Sequence, residues 1–310
     1  MLHLRLRVPA ELTDPVTTLL CDEPTVTDIA VVPGAYVKPE GALVMAHVAR
    51  ESAQHVISSL RSLGLVRDGM IALTETDTVM GDADERAEKR APGTPIDGVI
   101  WDLIEDRARD DIRLSWAFVS FLTLATLIAV VGRLLDQPIL IVGAMVVGPE
   151  FAAVAGICFA IARPRPSLLR TSLGTLFGGF LIATAVATAL AGLVHLFGGF
   201  TDSQLQHAPQ TDFIVSPDLW SFVIALLAGC AGALSLTTSK SATLVGVFIS
   251  VTTVPAIGTL SLSLATGNGT DARASLLQLG INLSGLVLAG TMTLVLQKEI
   301  WRHARTPEGP

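Results

Sequence analysis

The chain of 310 residues is 50% apolar and only 16% charged, with a formal net charge of −7. That charged fraction falls well below the roughly 25% usual in soluble domains and points to lipid as a solvent. Residues 1–113 hold 12 of the 21 Lys and Arg and 20 of the 28 Asp and Glu, whereas the remaining residues are nearly neutral. Two physical environments in one chain are expected, and with no basic face a nucleic-acid partner is excluded.

The opening MLHLRLRVPAELTD alternates apolar and polar residues and lacks the apolar run and small-residue cleavage site of a secretory signal. The first third is therefore expected in the cytosol. Residues 2–8 read as a strand, and Asp14-Pro15 as the N-cap and first residue of a short helix. Two more strands follow over residues 24–32 and 42–49, joined through a turn at Pro33-Gly34 and an exposed stretch. Ala53, Val56, Ile57, Leu60 and Leu63 fall at helical spacing, with Gly64 where a C-cap belongs. A last strand over 69–79 completes a β-α-β-β-α-β order, the ferredoxin-like pattern, for a cytosolic domain at 1–80. His47 and His55 read as ordinary surface or edge residues.

GDADERAEKRAPGTP, from Gly81 to Pro95, is charged and poor in bulky apolar residues, so 81–96 reads as a solvated linker. Residues 97–113 set Ile100, Trp101, Leu103 and Ile104 among Asp97, Asp102, Glu105, Asp106, Arg107, Arg109 and Arg113, as an interfacial amphipathic helix would.

Spanning a hydrocarbon core of about 30 Å takes roughly 20 apolar residues. Six segments meet that length within 114–298, at 115–135, 138–162, 172–197, 219–238, 242–266 and 275–297, leaving 299–310 as a cytosolic tail. With both termini inside, ten Lys and Arg lie on the cytoplasmic side against Arg133 and Arg273 outside, as the positive-inside rule requires. The expected location is the inner membrane, crossed several times.

An internal repeat runs through these spans. WAFV at Trp116 recurs as WSFV at Trp220, LIVGAM as TLVGVF around Val142-Gly143 and Val245-Gly246, and LGTLFGGFLIA at Leu173 as LGINLSGLVLA at Leu279. Three spans per copy make consecutive copies insert in opposite orientations, the inverted-repeat design that holds a ligand between discontinuous helices near the midplane. The second span carries Gly148-Pro149 and the fifth carries Pro255 with Gly258. A proline leaves a carbonyl without its donor, and lipid cannot satisfy it.

Glu150 is the only acidic residue inside any span, and intramembrane acids usually face a cavity, a partner or a proton path. It heads the candidate binding or permeation residues, with Gly148, Pro149, Pro255, the hydroxyls of Ser250, Thr252 and Thr253, and the amide of Asn282. Gly174, Gly178 and Gly179 in the third span, and Gly280 and Gly285 in the sixth, read as close helix contacts. Asp202, His207, Asp212 and Asp218 lack ligand spacing and read as a solvated loop. Cys21, Cys158 and Cys230 read as reduced and structural. No metal or cofactor is expected, and without GxSxG, HExxH or a Walker loop there is no visible catalytic machinery.

VGAMVVGPE at 142–150, VGVFISVTTVPAIG at 245–258 and the small domain before them together resemble the hydrophobic-domain family of prokaryotic membrane proteins catalogued as domain of unknown function 389. Gly143, Ala144, Met145 and Pro149 match its motif, while Ala152-Ala153 replace a later Gly-Pro. The resemblance implies an architecture and no substrate. The repeat, the two interrupted spans and Glu150 point to a transporter or channel-like permeation protein for a small solute or ion with a cytosolic regulatory domain, not an enzyme, set in the bilayer as a homo-oligomer. The alternative is a membrane-anchored sensor or scaffold whose cytosolic domain binds a ligand.

Overall fold

The computed structural model describes residues 1–75, 81–91, 101, 112–201, 209–214, 218–237 and 253–304. They fall into two compact units, one based on Met1–Ile104 and the other on Glu105–Leu236 with Lys240–Glu299.

The first unit is a four-stranded antiparallel sheet carrying helices. Its strands are β1 (Leu2–Val8), β2 (Val26–Val37), β3 (Glu40–Val48) and β4 (Met70–Glu75), in spatial order β2-β3-β1-β4. Helix α1 (Thr13–Asp22) links β1 to β2; α2 (Arg50–Ser62) and the single turn α3 (Leu65–Asp68) link β3 to β4. Strand alternation dictates the core. Leu2, Leu4, Leu6 and Val8 stand opposite Val48, Ala46, Val44 and Ala42, and all eight are buried against Val16 and Leu20 of α1 and Val56, Ile57 and Leu60 of α2. Gly64 follows α2 at φ 82°, a left-handed conformation that glycine adopts without penalty.

Three local expectations need correction. A 3-10 turn at Ala10–Leu12 feeds α1, so the helix starts at Thr13, ahead of the Asp14-Pro15 pair. The hairpin does not turn at Pro33-Gly34. Val37 pairs with Glu40, placing the turn at Lys38-Pro39, while Pro33 and Gly34 lie where the register shifts between Val32 and Tyr36; an edge strand tolerates a proline at such an irregularity. Within the expected linker, Asp82–Arg90 form α4, with Ala87 and Asp84 buried and Glu88 bonded to the N-terminal amine at 3.0 Å. Asp82, Glu85, Arg86, Lys89 and Arg90 occupy its exposed side. The helix expected over 97–113 lies almost entirely outside the described residues.

The second unit is helical: α5 (Trp116–Leu134), α6 (Pro138–Val147), α7 (Glu150–Ala162), α8 (Pro166–Leu196), α9 (Leu219–Thr237), α10 (Thr253–Thr266) and α11 (Gly269–Ala304). Among the described residues, α5, α8, α9 and α11 are each long and apolar enough to cross a membrane, and α6 with α7 forms a fifth such segment bent by 55°. At 1.5 Å per residue, the 19 residues of α5 reach about 28 Å, close to the hydrocarbon thickness. Phe177, Leu181 and Leu190 of α8 and Leu277, Leu288 and Leu296 of α11 stay exposed, and apolar surface on that scale requires lipid or a partner. The protein is therefore an integral, multi-pass membrane protein. Of the six expected spans, the one at 242–266 is described only in its second half, α10. Helices α8 and α11 begin nearly two turns before the expected third and sixth spans, α8 with Pro166 at its first position.

Glycine and alanine set the helix contacts. A Cβ on Gly179 would lie 2.7 Å from Phe118 of α5, one on Gly258 would lie 2.8 Å from the Ala129 Cβ of α5, and one on Gly285 would lie 2.7 Å from the Ala225 Cβ of α9. Helix α10 packs on α5 and α8, with Leu262 beside Val130, Ala187 and Ala191. In turn α7 packs on α9 and α11, where the Cys158 thiol faces the Leu286 and Val287 carbonyls and would be 2.9 Å from a Gly290 Cβ.

Candidate functional site at the broken helix

Helix α6 ends at Val147 because Gly148 takes up extended angles (φ −66°, ψ 129°), and Pro149 at φ −91° starts the next helix in a new direction. The Gly148 N–H still donates to the Ala144 carbonyl at 3.1 Å. Glu150 is thus the first residue of α7, in the positive end of that helix's dipole.

Its side chain is 6% exposed. Oε1 accepts a hydrogen bond of 2.8 Å from the Thr253 hydroxyl, at the first residue of α10. Oε2 is buried without a hydrogen-bond partner and lies against Gly148, where a Cβ would clash with it and would come within 2.7 Å of Val254 Cγ2. Only a glycine leaves room for the carboxyl at this bend. One oxygen is held and the other offers free lone pairs, an arrangement able to accept a proton or a cation inside the helical unit.

Gly148, Pro149, Glu150 and Thr253 thus come together. Pro255 is buried in α10. Ser250 and Thr252 lie outside the described residues. Asn282 is buried in α11 and makes no hydrogen bond to Glu150; with Ser275 and Gln278 it forms a buried polar row at spacings of three and four, hence on one helix face. Sequence reading picked only Asn282 from this row, although the spacing was legible. The buried hydroxyls of Thr259, Ser261 and Ser263 in α10 each donate to the carbonyl four residues earlier, so they satisfy themselves locally.

Among the packing candidates, Gly179 and Gly285 make close contacts, Gly178 an ordinary one with Leu114 at 3.6 Å, and a Cβ on Gly174 or Gly280 would meet nothing within 4 Å. Gly229 was not singled out, yet its Cβ would approach the Leu286 carbonyl to 2.7 Å. Of the loop acids, Asp212 pairs with buried Arg133 at 3.3 Å, and Asp218 accepts from Ser221 N at 2.7 Å as a helix cap. Asp202 and His207 lie outside the described residues. The three cysteines are free.

Residues 145–288 match the family model for Domain of unknown function (DUF389), which bears out the family resemblance and takes in Met145 and Pro149 of its motif. An uncharacterized protein of Methanocaldococcus jannaschii is 24% identical over 243 residues, covering 77% of this chain and 72% of its own length. No solved structure matches the chain.

Proposed function

We propose that this chain, whose membrane unit carries the domain just matched, is a transporter or channel-like permeation protein for a small solute or ion, with no catalytic step. In this reading two three-helix halves lie inverted in the cytoplasmic membrane, both termini face the cytoplasm, and the chains associate as a homo-oligomer. The N-terminal unit is a ferredoxin-like regulatory domain; its β-α-β-β-α-β order and β2-β3-β1-β4 sheet support that assignment.

Element boundaries support the repeat. Helices α5 and α9, and α8 and α11, each begin 103 residues apart, at 116 and 219 and at 166 and 269. The caps follow the same interval: Ser115 accepts from Phe118 N, and Asp218 accepts from Ser221 N. Packing is reciprocal as well, since α7 lies on α9 and α11 while α10 lies on α5 and α8.

The observation that carries the permeation reading is the Glu150 carboxyl, buried at a helix break with one oxygen unpartnered. An acid held inside a membrane helix bundle is costly and is kept where something binds or passes. Purified protein in liposomes should conduct or exchange protons or monovalent cations, and Glu150→Gln should abolish that flux or its pH dependence. Wild-type flux in a folded Glu150→Gln protein would refute the assignment. The sensor or scaffold reading gains weight from the sheet face opposite α1 and α2, where His3, Arg5 and His47 lie outside the core and α4 meets His47 through Asp84; protein silent in flux for every ion tried would favour it.

A further inference from the structure

The first unit gathers three metal-ligating side chains that no spacing in the sequence announces. Asp28 comes from β2, His47 from β3 and Asp84 from α4, and one ligand atom from each lies within 4.8 Å of the others. His47 Nδ1 is 3.2 Å from Asp28 Oδ2 and 3.2 Å from Asp84 Oδ1. Ions of the zinc type hold nitrogen and carboxylate ligands at roughly 2.0–2.2 Å in tetrahedral array, which separates neighbouring ligand atoms by about 3.3–3.6 Å. Both distances from His47 lie close to that range, and the two carboxylate oxygens lie within 4.8 Å of each other.

Local structure aims these groups at one point. The β2–β3 register shifts between Thr27 and Ala30, and Asp28 sits there at φ 51°. Such irregularities redirect side chains out of the strand's alternation, and this one brings the Asp28 carboxylate over His47. Asp84 is 5% exposed. Its Oδ1 accepts from the Thr27 hydroxyl at 3.3 Å, an outer hydrogen bond of the kind that orients a ligating carboxylate. The His3 ring meets His47 edge-on, with centroids 5.5 Å apart.

Charge supplies the independent reason. No lysine or arginine among the described residues pairs with Asp28 or Asp84, so two carboxylates, one of them buried, converge on a single imidazole. A proton on His47 offsets only one negative charge. A divalent ion taking that proton's place on Nδ1 balances both.

We propose that Asp28, His47 and Asp84 form a binding site for a divalent transition-metal ion of the zinc type, with an open coordination position toward solvent. The site is independent of the permeation reading and places cation sensing in the first unit. It also revises the expectation that His47 is a plain edge residue.

Full-length protein in detergent, stripped with chelator, should take up one equivalent of Zn2+ by calorimetry, and Co2+ in its place should give the visible absorption of a four-coordinate site. Asp28→Asn, at an exposed carboxylate whose loss spares the core, should abolish the Co2+ spectrum and weaken Zn2+ binding at least tenfold, as should His47→Gln; Thr27→Val should weaken it about tenfold. Asp14→Asn should change nothing. Failure of folded wild-type protein to bind one equivalent, or equal binding by wild type and Asp28→Asn, would overturn the proposal. Neither result bears on flux through the second unit.

Discussion

The Thr253 hydroxyl donates to Glu150 Oε1 at 2.8 Å, and these two residues are 103 positions apart, the interval that also separates the starts of the paired helices. Under a two-fold relation between the halves, a residue that touches its own counterpart must lie at the axis. Glu150 would then mark the centre of the membrane unit, with the carboxyl contributed by one half and the hydroxyl by the other.

Thr253→Val should destabilise the folded protein in detergent by about 1–3 kcal/mol, because it strips the buried carboxyl of the Thr253 hydroxyl donor. Thr253→Ser keeps the hydroxyl and should recover most of the loss. A thermal unfolding series on the two variants checks this.

Gly148→Ala brings a methyl group against Glu150 Oε2 and Val254. Overpacking of this kind costs about 1–3 kcal/mol, and relief requires the carboxyl to move. The variant should lose both thermal stability and flux.

The glycines of the third and sixth spans should separate by contact. Gly179→Leu and Gly285→Leu face Phe118 and Ala225 and should each lower stability by about 1–3 kcal/mol. Gly174→Leu and Gly280→Leu enter open space and should leave the unfolding midpoint close to wild type.

Glu51, in the first turn of α2, has its carboxyl pushed above the usual range, first by burial and then by the nearby Glu88. A raised pKa in the folded state means that its contribution is fully present below the unfolded value near 4.5 and declines as pH rises through the folded value. Glu51→Gln should therefore match wild type near pH 4 and exceed it at pH 7. Hydrogen exchange of the β1 and β3 amides, followed from pH 4 to 7, reads the difference within the first unit.

Much of this architecture was legible in the residues themselves. Alternation in LHLRLRV fixed the inward row of Leu2, Leu4, Leu6 and Val8, and the period of Ala53, Val56, Ile57 and Leu60 fixed the buried face of α2. Glu150 stood out because an acid is rare in an apolar run. The rest depends on contacts between distant segments. Nothing local tells that Asp82–Arg90 would dock through Ala87 and Asp84, since its composition is that of a solvated chain. Asp28 and Asp84 meet His47 only after β2, β3 and α4 are assembled, and Gly229 differs from the open Gly174 only by what lies opposite.

The inverted arrangement of the two halves is tested most directly at Trp116 and Leu219, the first residues of α5 and α9 and 86% and 74% exposed. In protein with Cys21, Cys158 and Cys230 replaced by alanine, single cysteines at these two positions would be probed in oriented vesicles with a membrane-impermeant maleimide. The account predicts labelling of Trp116→Cys from the cytoplasmic side and of Leu219→Cys from the opposite side. Labelling of both from the same side would contradict it.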